Sequence, residues 1–324
     1  MDRLNEADRR TVEIYKDFLP SRIFDAHMHL YLGEAIPRVR NTGVFCLEQA
    51  DPEDYKADMM PLLPGVEQIR LNMLPFPDPA LNELSNGMRE KANRHIASQT
   101  ALEPSHVGAA YILPVDHEDD IQRMISHPGV RCLKPYYYGA QTCTGGNNRI
   151  EAFLPESAWR VANEKRIPII LHMMRKNLAD EDNFAYIERM TARYPYAPLV
   201  LAHCARGFAS WTAIANISRL SDRENIWFDL SAICEPGPMI ASIMKTASKR
   251  TMWGSDWPIC MNRGKAISLC DDQHWLLDES YARVAAENLL AFYQAALLLD
   301  LDSSQVEDIF FRNACRLFDV SVHS

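Results

Sequence analysis

Two histidines with one residue between them, His27 and His29, stand at the end of the apolar run Ile23–Leu30. Side chains alternate along a strand, so the two imidazoles face one way and form a pincer suited to a divalent metal. A His-x-His pair needs further donors before it is a site. The chain offers candidates at the ends of later apolar runs: Lys134 after Val130–Leu133, His172 after Ile169–Leu171, His203 after Leu199–Ala202, and Asp256 after Thr251–Ser255. These side-chain types bind a divalent ion or handle protons. Singly, each has a bland explanation: a strand-end histidine hydrogen-bonded in the core, or Asp256 as a turn former ahead of Trp257-Pro258. Jointly, their recurrence at strand ends points to one shared mouth.

The elements that must position them repeat. Strand-like runs lie at about 23–30, 68–74, 107–113, 130–136, 167–172, 198–203, 225–230 and 250–256. Helical sequence separates them, including 51–63, 81–101 and 152–165, while 30–50 reads as a long loop. Near-continuous apolar strands suit a parallel sheet covered on both faces. Eight βα units predict an α/β fold, a (β/α)8 TIM barrel, with a short N-terminal helix at 6–18 and extra C-terminal helices at 281–299 and 304–317. In such a barrel the C-terminal strand ends share one mouth. No linker or internal repeat interrupts the pattern, so residues 1–324 read as a single domain.

Composition narrows the partners. The chain is 47% apolar and 24% charged, with a net charge of −9. That is globular composition, and it argues against nucleic-acid and anionic-membrane binding. No apolar run reaches membrane-spanning length, and the charged first ten residues show no leader segment, so the cytoplasm is expected. The eight cysteines form no Cys-x-x-Cys pair. Cys46, Cys132, Cys204 and Cys315, set in apolar runs, are expected to be buried thiols.

Four motifs then carry a resemblance. Phe24-Asp25-Ala26-His27-Met28-His29, Ile169-Ile170-Leu171-His172, Val200-Leu201-Ala202-His203-Cys204 and Trp253-Gly254-Ser255-Asp256-Trp257-Pro258 resemble the metal-binding motifs of the amidohydrolase superfamily. Their order, together with the closing Ile309–Phe318 segment and its Asn313-Ala314 pair, is most similar to the amidohydrolase-related (family 2) branch, over a core of about 23–318. The resemblance implies that His27, His29, His172 and Asp256 hold one divalent metal. Zinc is the first choice, and manganese, iron and cobalt also fit such a site. It implies a catalytic role for His203, and for Asp256 as acceptor of the proton of a metal-activated water. Asp25 is expected to support a ligand or the barrel floor. Lys134 has three readings: a carbamylated bridge to a second metal, which would take His172 and His203 as ligands; a substrate-binding ammonium; or a rim lysine.

Arg175, Arg206 and Arg263 follow the ligand strands, and arginine forks bind carboxylates. A small anionic substrate is therefore expected. Tyr136, its neighbours Tyr137 and Tyr138, and Trp257 either line the pocket or pack the rim. The Gly-rich stretch 139–149 is expected to be a lid and lacks a phosphate-loop pattern. The leading expectation is a metal-dependent hydrolase acting on an amide, ester or lactone. The alternatives are a metal-dependent decarboxylase of a small unsaturated or aromatic acid, and a non-catalytic binding barrel. A homo-oligomer stays open.

Overall fold

The computed structural model describes residues 4–40, 49–140, 147–270 and 272–322. Nine strands form one sheet: β1 (Arg22–Leu32), β2 (Gln49–Ala50), β3 (Gln68–Pro75), β4 (Val107–Ile112), β5 (Val130–Pro135), β6 (Ile169–Leu171), β7 (Leu199–Leu201), β8 (Ile226–Asp229) and β9 (Thr251–Met252). Their order is β2-β1-β3-β4-β5-β6-β7-β8-β9. β2 pairs antiparallel at the edge through Tyr31 and Ala50, and every other pairing is parallel. The eight expected strands are thus β1 and β3 to β9, and the α/β barrel expected from the sequence is the fold.

Closure of the ring falls to single bonds after β9. The Ala26 N–H donates to the Trp253 carbonyl at 3.1 Å, the Asp256 N–H to the His27 carbonyl at 2.7 Å, and the His29 N–H to the Trp257 carbonyl at 2.7 Å. Gly254 permits this approach, because a Cβ there would sit 2.9 Å from His27 Cβ and 3.0 Å from its nitrogen. Asp25 is fully buried beneath the seam. Its Oδ1 accepts from the His27 N–H at 3.0 Å and the Ser255 N–H at 2.9 Å, and its Oδ2 from the Tyr55 hydroxyl at 2.8 Å.

A bulge sets the phase of β1. Pairing with β3 slips between Asp25 and Met28. Before the slip, Phe24 and Ala26 join the cluster that fills the barrel, with Leu74, Val107, Cys132, Ile170, Val200, Trp227 and Met252. After it, Met28 and Leu30 join the outer cluster beneath the helices. One extra residue therefore turns His27 and His29 inward, where unbroken alternation from Phe24 would have turned them out. Phe311, Cys315 and Phe318 plug the interior cluster from the last helical segment.

Several boundaries differ from the sequence reading. The helix expected at 81–101 starts only at Met88, after two 3-10 turns, because Gly87 adopts a left-handed φ of 67°. The stretch 30–50 is less irregular than expected, since β1 runs to Leu32 and short helical turns and β2 follow. The sequence reading missed the antiparallel hairpin of β10 (Gly264–Leu269) and β11 (Asp272–Leu277). Cys132, Cys204 and Cys315 are buried free thiols, while Cys46 lies outside the described residues. No helix among the described residues is long and apolar enough to cross a membrane.

Two stability predictions follow from this frame. Asp25→Ala strands three buried donors and should cost about 3 kcal/mol or more in urea unfolding; an unchanged midpoint would refute the bracing role. His106, just ahead of β4, is buried, and burial lowers its pKa to about 4 against the partial opposition of Glu103. The unfolded chain takes up that proton near pH 6.5 and the folded chain only near pH 4, so stability should fall as pH drops through that window, by up to about 3 kcal/mol. His106→Gln should flatten this part of the urea-midpoint profile.

Candidate metal and active site

The inward turn after the bulge places His27 and His29 beside Asp256. His29 Nε2 lies 3.1 Å and His27 Nε2 3.6 Å from Asp256 Oδ1. The donor atoms of the three residues all fall within 4.8 Å of one another, and all three residues are buried. Among the described residues His27 Nε2 has no hydrogen-bond partner. An orphaned buried imidazole nitrogen facing a second imidazole and a carboxylate fits a divalent metal of the zinc or manganese class.

The second nitrogen of His27 explains which one is left open. Its Nδ1 meets Asp229 Oδ2 at 2.9 Å, while Asp229 Oδ1 accepts from the His203 N–H at 2.9 Å. A carboxylate on the far nitrogen fixes the tautomer and aims Nε2 at the metal position. His203 is held similarly. Its Nδ1 lies 3.1 Å from the Ser231 carbonyl and 2.9 Å from the Ser231 hydroxyl, whose own proton goes to Asp229. In that tautomer His203 Nε2 accepts, and it donates only once protonated.

The backbone is strained here. His203, Cys204, Ala205 and Arg206 have φ of 55°, 50°, 60° and 59°, and Asp256 has 62°. Left-handed geometry costs non-glycine residues about 1–2 kcal/mol each, so the surrounding packing must impose it. The turn directs both His203 and Arg206 into a cavity of about 230 Å³.

Electrostatics keeps the donors ready. Burial, helped by the Lys134 charge, lowers His27 to about 3 against the pull of Asp229. Burial likewise lowers His29 and His172, so the imidazoles stay neutral at pH 7. Burial works to raise the Asp256 carboxyl, but His203, His29 and His27 outweigh it and keep the group ionised. Lys134 is fully buried, and its Nζ has no hydrogen-bond partner among the described residues. Burial lowers it to about 8, with Asp229 and Asp256 favouring the charged form.

The remaining expected residues divide. His172, Tyr136 and Arg206 line the cavity with His29, His203 and Asp256. His172 stays outside the close donor group, and its Nε2 accepts from Arg206 at 3.1 Å. Arg206 is partly buried and has no carboxylate partner among the described residues. The other two arginines are engaged elsewhere: Arg175 pairs with Asp180 at 2.7 Å and Arg263 with Asp8 at 2.9 Å. Trp257 packs into the outer core, and its Nε1 donates to Asp58 at 3.2 Å. Tyr137 approaches His172, with ring centroids 6.2 Å apart. Most of the stretch expected to be a lid, 141–146, lies outside the described residues. Asp229, Phe208 and the hairpin residues Gln273 and Trp275 were missed. Asp229 carried a signal, a carboxylate closing the apolar run Ile226-Trp227-Phe228.

Residues 24–320 match the family model described as Amidohydrolase. The chain belongs to the amidohydrolase family. That family is one of metal-dependent enzymes, which agrees with the His-His-Asp group. A comparison with curated proteins finds no match. Among solved structures, the amidohydrolase chain is similar to 5-carboxyvanillate decarboxylase from Sphingomonas paucimobilis, with 12% identity, a TM-score of 0.60 and coverage of 93% of this chain and 100% of that one. It is similar to a candidate 2-pyrone-4,6-dicarboxylic acid hydrolase from Pseudomonas putida, with 16% identity, a TM-score of 0.59 and coverage of 93% and 98%. A third is a dihydroxybenzoic acid decarboxylase from Polaromonas sp. JS666 with bound manganese, at 14% identity, a TM-score of 0.55 and coverage of 93% and 97%. At these identities the likeness carries the fold.

Asp229→Asn tests the bracing of His27. It should keep the fold by circular dichroism but weaken Zn²⁺ affinity about 10–100-fold in a chelator competition titration. Unaltered affinity would show that Asp229 does not orient the ligand.

Proposed function

We propose that this amidohydrolase is a metal-dependent hydrolase of an amide, ester or lactone bond in a small carboxylated substrate. One observation carries the anionic substrate: Arg206 faces the cavity with no carboxylate partner among the described residues, whereas Arg175 and Arg263 each have one. A guanidinium so placed binds a carboxylate in forked fashion. His27, His29 and Asp256 would hold the metal, zinc by first choice, with His172 at the same cavity but outside their close group. Once bound, the metal supplies a Lewis acid and, at neutral pH, a hydroxide nucleophile.

The chain's own residues do the rest. Asp256, ionised at neutral pH, takes a proton at a carboxylate oxygen and passes it to the leaving group. His203 Nε2 accepts a hydrogen bond or proton on the same side of the cavity. Lys134, buried behind the residues that line the cavity, would act on the substrate's developing negative charge only through space, as an ammonium. Phe76, Tyr136 and Phe208 supply an aromatic wall beside these groups.

The second reading, decarboxylation of a small unsaturated or aromatic acid, is favoured by that same wall, which includes Phe76, Tyr136 and Phe208. Two decarboxylases share the fold. Metal analysis of protein purified without chelator should give about one transition metal per chain, lost in His27→Ala with the circular dichroism spectrum unchanged. On carboxylated esters, lactones and aromatic acids, hydrolysis should release one new carboxylate per turnover and no CO₂. Evolution of CO₂ would move the assignment to decarboxylation. Asp256→Asn should lower the rate about 10²–10⁴-fold. No metal after reconstitution, and no turnover of either substrate class, would leave a binding barrel.

A further inference from the structure

The β10/β11 hairpin belongs to none of the barrel strands, yet Gln273 and Trp275 from it line the cavity. They stand two apart on β11 and so share one face. Their cross-strand partners on β10 are small, Ser268 opposite Gln273 and Ala266 opposite Trp275. The larger pair therefore overhangs the mouth. The Trp275 ring centroid is 5.4 Å from Phe208, whose ring is 5.3 Å from His203. An aromatic surface thus runs unbroken from the site histidines to the hairpin. Trp275 remains 37% exposed. No hydrogen bond occupies the Gln273 carboxamide among the described residues.

The hairpin is held firmly. Glu235 accepts from the Ser268 N–H at 2.9 Å and from its hydroxyl at 2.7 Å, and Ser268 Oγ accepts from the Ser210 N–H at 2.6 Å. At the base, Gly264 has a φ of 136°, and a Cβ there would lie 1.9 Å from the Leu276 carbonyl oxygen. Charge gathers at the inner end of the cavity, around Arg206 and Asp256. The outer end offers a flat aromatic face and one neutral amide.

We propose that Trp275 and Gln273 form a recognition subsite for a planar, unsaturated part of the substrate, with Trp275 against its face and Gln273 hydrogen-bonded to a polar substituent at its edge. This rests on the reading of the cavity as an active site that anchors a carboxylate at Arg206. An indole gains more from a π-face than from a puckered ring of similar size. The two residues would select substrates by shape without touching the bond that breaks.

Titration calorimetry on the metal-loaded full chain tests this with benzoate, cyclohexanecarboxylate and 4-hydroxybenzoate. Benzoate should bind about tenfold more tightly than cyclohexanecarboxylate. Trp275→Leu should erase that preference. Gln273→Leu should retain it but lose the roughly fivefold gain of 4-hydroxybenzoate over benzoate. Arg206→Gln should weaken all three acids alike. Equal binding of benzoate and cyclohexanecarboxylate, or a preference that survives Trp275→Leu, overturns the subsite. A hydroxyl gain that survives Gln273→Leu removes Gln273 from it. Arg206→Gln without effect, alongside a lost preference in Trp275→Leu, overturns the carboxylate anchor and supports the subsite. Failure of all three acids to bind the unaltered chain overturns both.

Discussion

Asp25 has no contact with solvent, and its two carboxylate oxygens gather donors from three parts of the chain: His27, Tyr55 and Ser255. Burial pushes this group up to about 6, and hydrogen bonds from Ser255, His27 and Tyr55 pull the other way. The carboxylate sits where the last strand must meet the first, and β9 is only two residues long. With so short a ladder, the ring depends on point attachments. Asp25 fixes the backbone of His27 and of the residue before Asp256, so the brace that closes the barrel also sets the spacing of the candidate ligands. Asp229 repeats the device one strand back, joining the His27 ring to the His203 backbone. Two buried carboxylates thus convert a closed ring into a rigid donor set.

The fold was legible because every barrel strand is a run of apolar residues flanked by helical sequence. Buried alternation leaves that pattern whether or not the strand is long, which is why β6 and β7 were found although each spans three residues. The hairpin was not found. Its β11 strand is largely exposed, its sequence Asp-Gln-His-Trp-Leu-Leu has no polar-apolar alternation, and its attachment comes from side chains such as Glu235 far away in sequence.

The candidate site was legible in residue type and less so in orientation. The equal facing of His27 and His29 follows from their spacing. That they face inward depends on a bulge, and a bulge is a pairing event between two strands which no single stretch encodes. Arginine roles were legible only as a set. Arg206 reaches the cavity because a left-handed turn carries it there, while Arg263 is drawn off by Asp8 in the N-terminal helix, a partner 255 positions away. Arg175 is taken up much closer to home, by Asp180, so both near and distant counter-charges decide which arginine keeps no carboxylate.

The interior of the barrel is finished by residues that come late in the chain. Phe24 near its beginning packs against Phe318 with ring centroids 5.6 Å apart, and Phe311 and Cys315 fill the same layer. During synthesis the first strand must therefore wait for nearly three hundred residues to emerge, roughly 15–60 seconds at ordinary elongation rates. For that interval Phe24 and its inward neighbours have no lid beneath them. A chain cut short after β9 would therefore carry every barrel strand yet lack Phe311, Cys315 and Phe318, and its inward-facing apolar layer would be left open to water.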